Sequence, residues 1–354
     1  MKPFIEINGR RIGEEFPVYI VAEMSANHNQ NFDHAVEIIS AAKESGADAV
    51  KLQTYTPDTI TIDCDNDYFK IKNTLWEGCS LYDLYGRAFT PWEWQPRLKE
   101  AAENLGLDLF STPFDETAVD FLESMEVPLY KVASFEAVDI PLLGKIARTG
   151  KPVIISTGMS TLPEIGEAVE TIRAEGGTQI ALLKCTSSYP ALPEEMNLRS
   201  IPHLSKTFDV PSGLSDHTLG IVAPVAAVSM GACIIEKHLT LSRRIPGPDS
   251  AFSLEPDEFR EMVDAVRTAE KALGEVRYGS GKREEESRAF RRSLFIVRDM
   301  KAGETFSGGN VSSIRPGYGL HTRHLADVIG RRAVRDIERG TPLAWDLVEN
   351  PDEN

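Results

Sequence analysis

A chain of 354 residues, 42% of them hydrophobic, can bury a large core, and its length favours two domains of unequal size. Its net charge of -16 excludes a broad nucleic-acid surface, which needs clustered excess Lys and Arg, but leaves room for an anionic small substrate held by local cations. Met1 to Phe16 is interrupted by Glu6, Arg10, Arg11 and Glu14, and no later apolar run reaches membrane-spanning length, so the expectation is a soluble cytoplasmic protein without nucleic-acid or membrane partners.

Apolar, β-branched runs recur along the chain at Val18 to Val21, Ala47 to Leu52, Leu107 to Phe110, Val127 to Val132, Val153 to Ile155, Ile180 to Leu183, Val210 to Leu214 and Ala232 to Ile235. Helical patterns lie between them: Ala35, Ile38, Ile39 and Ala42, then Ile165, Ala168, Val169 and Ile172, then Phe259, Met262, Val263 and Val266, each at i, i+3, i+4, i+7. The middle helix has its start in the capping box Thr161 to Glu164 and its stop in Gly176-Gly177. Eight strands alternating with helices predict an α/β fold, a (β/α)8 TIM barrel; an open doubly wound sheet shares the local pattern and is the weaker fit.

After the second strand a long stretch, Tyr55 to Pro91, carries no helical pattern but holds Tyr68, Phe69, Trp76, Tyr82 and Tyr85. Its aromatic content suits a lid on the barrel mouth or a satellite cluster on one edge. Beyond Leu273-Gly274 the chain turns polar, so residues 1–275 are assigned to the barrel, 276–288 to a linker and 289–354 to a small domain with short β-like runs at Ser293 to Val297 and Val311 to Ile314. The four cysteines, Cys64, Cys79, Cys185 and Cys233, show no C-x-x-C spacing and are expected to be buried reduced thiols.

Barrel chemistry sits at the C-terminal ends of the strands, and nearly every exit here is polar. In order the exits present Glu23 with Asn27 and His28; Lys51 and Gln53; Ser111 and Thr112; Lys131, Ser134 and Glu136; Ser156 and Thr157; Lys184, Thr186 and Ser187; Ser215, Asp216 and His217; and Glu236 and His238. Lys51, Lys131 and Lys184 alternate with apolar residues and so face the interior, where each ammonium needs a carboxylate or a bound anion. Internal pairing with Glu23, Glu136 and Glu236 would satisfy them structurally; together with the hydroxyl exits, an anion pocket for phosphate or carboxylate is the better account. An interior lysine also allows Schiff-base chemistry.

His217 and His238 end neighbouring strands 21 residues apart, about one βα repeat. One strand-end histidine is commonly just a hydrogen-bonding group; two at adjacent exits can hold a borderline divalent metal, which makes a Lewis-acid route more economical than a covalent one. His28 could orient a carboxylate, while His34, His203, His321 and His324 are expected at the surface. A metal-dependent barrel hydrolase and a non-catalytic sugar-binding protein are the competing classes, though three internal lysines fit a hydrolase poorly.

The runs Ile20-Val-Ala-Glu-Met-Ser-Ala-Asn-His-Asn-Gln30, Asp48-Ala-Val-Lys-Leu-Gln-Thr54, Phe110-Ser-Thr-Pro-Phe-Asp115, Tyr130-Lys-Val-Ala-Ser-Phe-Glu136, Gly213-Leu-Ser-Asp-His-Thr218 and Ile235-Glu-Lys-His238 resemble those of the nonulosonic (sialic-type) acid synthases. The tail, with Ile314-Arg-Pro-Gly-Tyr-Gly319 and Arg339-Gly-Thr-Pro342, is similar to their antifreeze-like (SAF) domain. Glu-Met-Ser-Ala-Asn-His-Asn-Gln, Thr90-Pro-Trp-Glu-Trp94 and Asp115 to Leu122 are most similar to the pseudaminic acid synthase branch, with the N-acetylneuraminate and legionaminate branches as alternatives. The resemblance implies condensation of phosphoenolpyruvate with a 2,4-diacetamido-2,4,6-trideoxyhexose and water. It implies catalytic roles for Glu23, Glu136, His217 and His238, the two histidines holding a divalent cation, manganese before magnesium or cobalt. It implies phosphoenolpyruvate contacts at Lys51, Thr112, Lys131, Ser134, Ser156, Thr186 and Ser215, and sugar contacts at Gln53, Tyr189, Asp249 and Arg315. Arg315 is expected to come from the tail of a second copy in a domain-swapped homodimer. Ser187 stands where several relatives have asparagine.

Overall fold

The computed structural model describes residues 2–72, 76–279 and 281–350, which divide into two compact units, Met1–Gly274 and Glu275–Asn354. In the first, an antiparallel hairpin of β1 (Phe4–Ile7) and β2 (Arg10–Gly13) precedes eight parallel strands. These are β3 (Tyr19–Glu23), β4 (Ala49–Thr54), β5 (Asp108–Pro113), β6 (Tyr130–Val132), β7 (Val153–Ser156), β8 (Ile180–Cys185), β9 (Ser212–Asp216) and β10 (Ile234–His238). Each pairs with the next and β10 pairs with β3, closing the barrel. Every expected strand forms, displaced toward its C-terminus: the apolar run drives burial, but the hydrogen-bonded ladder continues through the polar exit. Glu23, Lys51 and His238 are therefore strand residues held by backbone register, His238 opposite Glu23 and Glu23 opposite Lys51.

Two apolar clusters lie between the strands and their helices, and a third fills the barrel. The interior cluster holds Tyr19, Val21, Phe110, Ile154 and Leu183 together with Ile5, Ile7 and Ile12 of the hairpin. The hairpin reverses at Asn8 and Gly9, both with positive φ (47° and 78°), the turn that matches strand twist and favours Asn-Gly. It seals the end of the barrel opposite the strand exits, and chemistry is left to the other mouth.

The aromatic stretch after β4 contains two short helices, Pro57–Ile60 and Leu81–Ala88, where no helix was expected; residues 73–75 lie outside the described residues. In the second unit β11 (Ser293–Ile296) pairs antiparallel with β12 (Val311–Ile314) around a core including Leu294, Phe306, Val311, Ile337 and Leu343. Early in the second unit, the stretch expected as a linker carries a helix, Lys282–Ser287. No helix among the described residues is long and apolar enough to cross a membrane.

Candidate active site

Alternation along β4 turns Lys51 and Gln53 into the barrel, where they meet Glu23 from β3. Lys51 Nζ is 2.7 Å from Glu23 Oε2 and 3.8 Å from Glu236 Oε1, and donates to Thr112 Oγ1 at 3.3 Å. Gln53 Nε2 donates to Glu23 Oε1 at 3.0 Å and to Ser25 Oγ at 2.8 Å. On the other side of Glu236, Lys131 Nζ stands 3.7 Å from Oε2 and donates to Ser156 Oγ at 2.7 Å, while Ser215 Oγ donates to Glu236 Oε1 at 3.0 Å. Lys51 and Lys131 are only 4% and 2% exposed, so these are buried charges answered by buried carboxylates.

Electrostatics divides the carboxylates. Glu236, although burial opposes it, is held below the usual range by Lys131 and Lys51 and stays ionised. Burial raises Glu23 to about 7 despite Lys51 beside it, and burial raises Glu136 likewise to about 7. Glu136 Oε2 is buried with no hydrogen-bond partner among the described residues. Two carboxyls poised near neutrality beside fixed cations suit proton transfer.

Hydroxyls gather next to the lysines. The Gly158 amide donates to Ser134 Oγ at 3.0 Å, and a Cβ on Gly158 would stand 2.3 Å from Ser187 Oγ and 2.7 Å from Ser134 Oγ. Only glycine lets backbone N–H and both hydroxyls approach so closely, the kind of cradle phosphate oxygens take. Ser187, whose role the sequence left open, belongs to this group. Lys184 Nζ donates to Thr186 Oγ1 at 3.2 Å and has no carboxylate partner among the described residues, and burial lowers its pKa.

The second pole lies at the ends of β9 and β10. The rings of His217 and His238 are 5.3 Å apart, with Tyr189 4.4 Å from His217 and Phe252 5.0 Å from His238. His217 Nδ1 is 2.9 Å from the Thr186 carbonyl, so it carries a proton there and leaves Nε2 for a ligand; although burial opposes it, the Cys185 thiol and the Thr186 carbonyl raise the pKa of His217. His238 is held neutral by burial and by His217, and its Nδ1 is buried without a hydrogen-bond partner, 4.0 Å from Asp249 Oδ2. Two imidazoles, one with an orphaned nitrogen, would fit a borderline divalent cation, His217 giving up its second proton on binding; among the described residues no third His, Cys, Asp or Glu completes the set, so substrate and water would take the remaining positions.

The sequence-derived site residues of the barrel thus converge. Glu23, Lys51, Gln53, Thr112, Lys131, Ser156 and Ser215 form one group of hydrogen bonds and ion pairs around Glu236, and Tyr189, His217, His238 and Asp249 a second group of close contacts, joined where Asp249 is bonded by Ser25, the partner of Gln53. Thr186 turns toward the rim, donating to the Glu195 carbonyl. Arg315 belongs to the second unit, exposed on the turn after β12. Glu236 was expected only as a structural partner, yet it centres the cationic pocket. His28 orients no carboxylate: it is fully buried, its Nε2 3.1 Å from Thr90 Oγ1 and its Nδ1 accepting from the Gln30 amide. Cys185 and Cys233 are buried as expected; Cys64 and Cys79 are only partly so, because they sit in the aromatic stretch rather than in strands.

Residues 38–278 match the model of the NeuB family. The chain belongs to the NeuB family. Residues 291–349 match the SAF domain, so a SAF domain follows the barrel of this NeuB-family chain. It is 46% identical over 326 residues to a pseudaminic acid synthase of Campylobacter jejuni, covering 92% of this chain and 95% of that one. It is 45% identical over 334 residues to a pseudaminic acid synthase of Helicobacter pylori, covering 94% and 98%. The crystal structure of the N-acetylneuraminic acid synthetase of Leptospira borgpetersenii, in complex with citrate, superposes with a TM-score of 0.72 at 31% identity over 81% of this chain and 95% of that one.

His28 yields a stability prediction. Burial, then repulsion from His34, lowers its pKa from the ordinary 6.5 to about 4. Between these values the unfolded chain binds a proton that the folded chain refuses, so His28 costs stability as pH falls through that window, about 3 kcal/mol in all. Urea unfolding of the native chain and of His28→Gln should show their stability difference shrinking by about that amount from pH 6.5 to 4. A difference that does not vary with pH contradicts a neutral His28.

Proposed function

We propose that this chain condenses phosphoenolpyruvate with 2,4-diacetamido-2,4,6-trideoxy-L-altrose and water, releasing pseudaminate and phosphate. The observation that carries this reading is the nearly end-to-end likeness to two pseudaminic acid synthases; a buried lysine and hydroxyl pocket beside two metal-suited histidines supports it chemically. Lys51, Lys131, Ser134, Ser156 and Ser215, with Thr112 and Thr186 alongside, hold the enol phosphate, while Gln53, Tyr189 and Asp249 orient the open-chain sugar. A divalent cation bound by His217 and His238, manganese on kinship and donor type and magnesium or cobalt otherwise, supplies Lewis acidity at the sugar aldehyde.

Carbon 3 of the enol attacks the aldehyde carbon, forming the new C–C bond, and the aldehyde oxygen gains a proton, which Glu23 is placed to give. The positive character left at C2 is met by water, whose proton passes to Glu136. The resulting tetrahedral centre expels phosphate by C–O cleavage, its hydroxyl proton leaving with the phosphate, and becomes the ketone. Pre-set cations and hydroxyls stabilise the developing charges without reorganisation. We assign the reaction to the cytoplasm, where phosphoenolpyruvate is made.

A homodimer is part of this reading. Phe135, Val138, Met159, Leu192 and Leu219, on loops at the strand exits, and Val222, at the start of the helix Val222–Ser229, are 50–79% exposed and would suit cover by a second copy. The second copy's SAF domain would then bring Arg315 to the sugar's acyl group.

Phosphate release measured with altro, gulo and manno diacetamido sugars in ¹⁸O-water tests the proposal. Turnover should require phosphoenolpyruvate and favour the altro sugar by about 100-fold in kcat/KM. The label should enter the sugar acid and not the phosphate. Preference for another sugar overturns the substrate assignment, and labelled phosphate overturns C–O cleavage.

Glu136→Gln separates the base from the rest. The native kcat/KM should fall as pH drops below about 7, where Glu136 takes up a proton. The variant should lose about 10²- to 10⁴-fold and keep only the limb on which activity falls as Glu23 gives up its proton above about 7. A variant of native rate contradicts the role.

A further inference from the structure

Asp216 and Lys237 each adjoin a histidine of the site yet point away from it. The period of two sends Glu236 and Ser215 into the barrel and Asp216 and Lys237 to its outer side, where both side chains are completely buried. The two are cross-strand partners, with Lys237 Nζ 2.5 Å from Asp216 Oδ2. Asp216 also accepts from the Thr218 amide at 3.0 Å and from Thr218 Oγ1 at 3.1 Å, and Lys237 donates to the Thr218 carbonyl.

These bonds form a closed circuit. His217 is the middle residue of a turn whose two neighbours, Asp216 and Thr218, are both tied to Lys237, and Lys237 is joined by one peptide bond to His238. His217 lies just past the end of β9, where the Ala191 amide holds its carbonyl and the Thr186 carbonyl holds its ring, both from the β8 side of the barrel. The turn closed by Asp216 adds the link on the β10 side, and the ammonium ties it to the other histidine's backbone. Fully buried ion pairs are often dispensable for stability, so a role in fixing geometry is the more economical reason for one here.

We infer that the Asp216, Lys237 and Thr218 network positions His217 and His238 relative to one another and thereby sets the site's affinity for a divalent cation. The inference rests on the metal reading of the two histidines. All three residues are positioning residues, acting through the imidazoles without touching substrate.

The test is Mn²⁺ titration of the full chain followed by electron paramagnetic resonance, with urea unfolding of the same samples. The double variant Asp216→Asn with Lys237→Met removes both charges together and keeps a side-chain oxygen for the Thr218 amide. It should unfold with a midpoint close to native while Mn²⁺ binding weakens about 10- to 100-fold. Thr218→Val, which removes one bond to Asp216, is the milder probe and should weaken Mn²⁺ binding at an unchanged midpoint. If the double variant does not fold, Thr218→Val decides. Native Mn²⁺ affinity in the folded variants overturns the inference. His217→Ala and His238→Ala must abolish Mn²⁺ binding by the native chain; binding that survives both overturns the metal reading itself, a separate outcome.

Discussion

Two ammonium groups sealed inside a parallel barrel are the constraint on which the rest of this site depends. Lys51 and Lys131 stand where such barrels otherwise place Val, Ile and Leu, and an unanswered charge there would cost several kcal/mol. Glu23 and Glu236 answer them, and the arrangement fixes which strands must meet and in which register. A phosphoenolpyruvate anion brings up to three negative charges to a pocket already balanced two against two. The capacity to receive it must come from elsewhere. Lys184 has no carboxylate partner among the described residues, and the Ser134, Ser187 and Gly158 cradle offers hydroxyls and an amide. Burial raises Glu23 to about 7, so it can also take up a proton when an anion arrives.

The same economy explains why the two poles of the site share one wall. β10 carries Glu236 for the cationic pocket and His238 for the histidine pair, two residues apart on its inner face, and its register with β3 sets His238 opposite Glu23. One strand thus couples the cationic pocket to the histidine pair. The N-terminal hairpin plugs the far end with isoleucines, which keeps the polar mouth as the only functional end of the barrel.

The eight strands were legible because buried parallel strands are continuous apolar runs, and the SAF tail was legible from its motifs. Strand ends were not, because the residues that carry chemistry break the apolar pattern while the ladder runs on through them. The first hairpin was not legible as an apolar run, because Glu6, Arg10 and Arg11 interrupt it, although Asn8-Gly9 between alternating apolar residues is a strong turn signal. The short helices after β4 lack an amphipathic period long enough to see. Glu236 was visible as a partner but not as a centre, because only the closed barrel shows Lys51 and Lys131 on either side of it. His28 orients no carboxylate because the fold buries it against Thr90 and Trp94, partners far from it in the chain that the loop sequence does not reveal.

On this reading Lys51 and Lys131 are buried in order to bind an anionic enol phosphate. Calorimetric titration of phosphoenolpyruvate into the native chain and into Lys131→Met addresses this most directly. Binding by the native chain, weakened about 10- to 100-fold in the variant as expected for loss of a charged hydrogen-bonding partner, is the predicted result. Equal binding by a folded Lys131→Met variant would contradict the account.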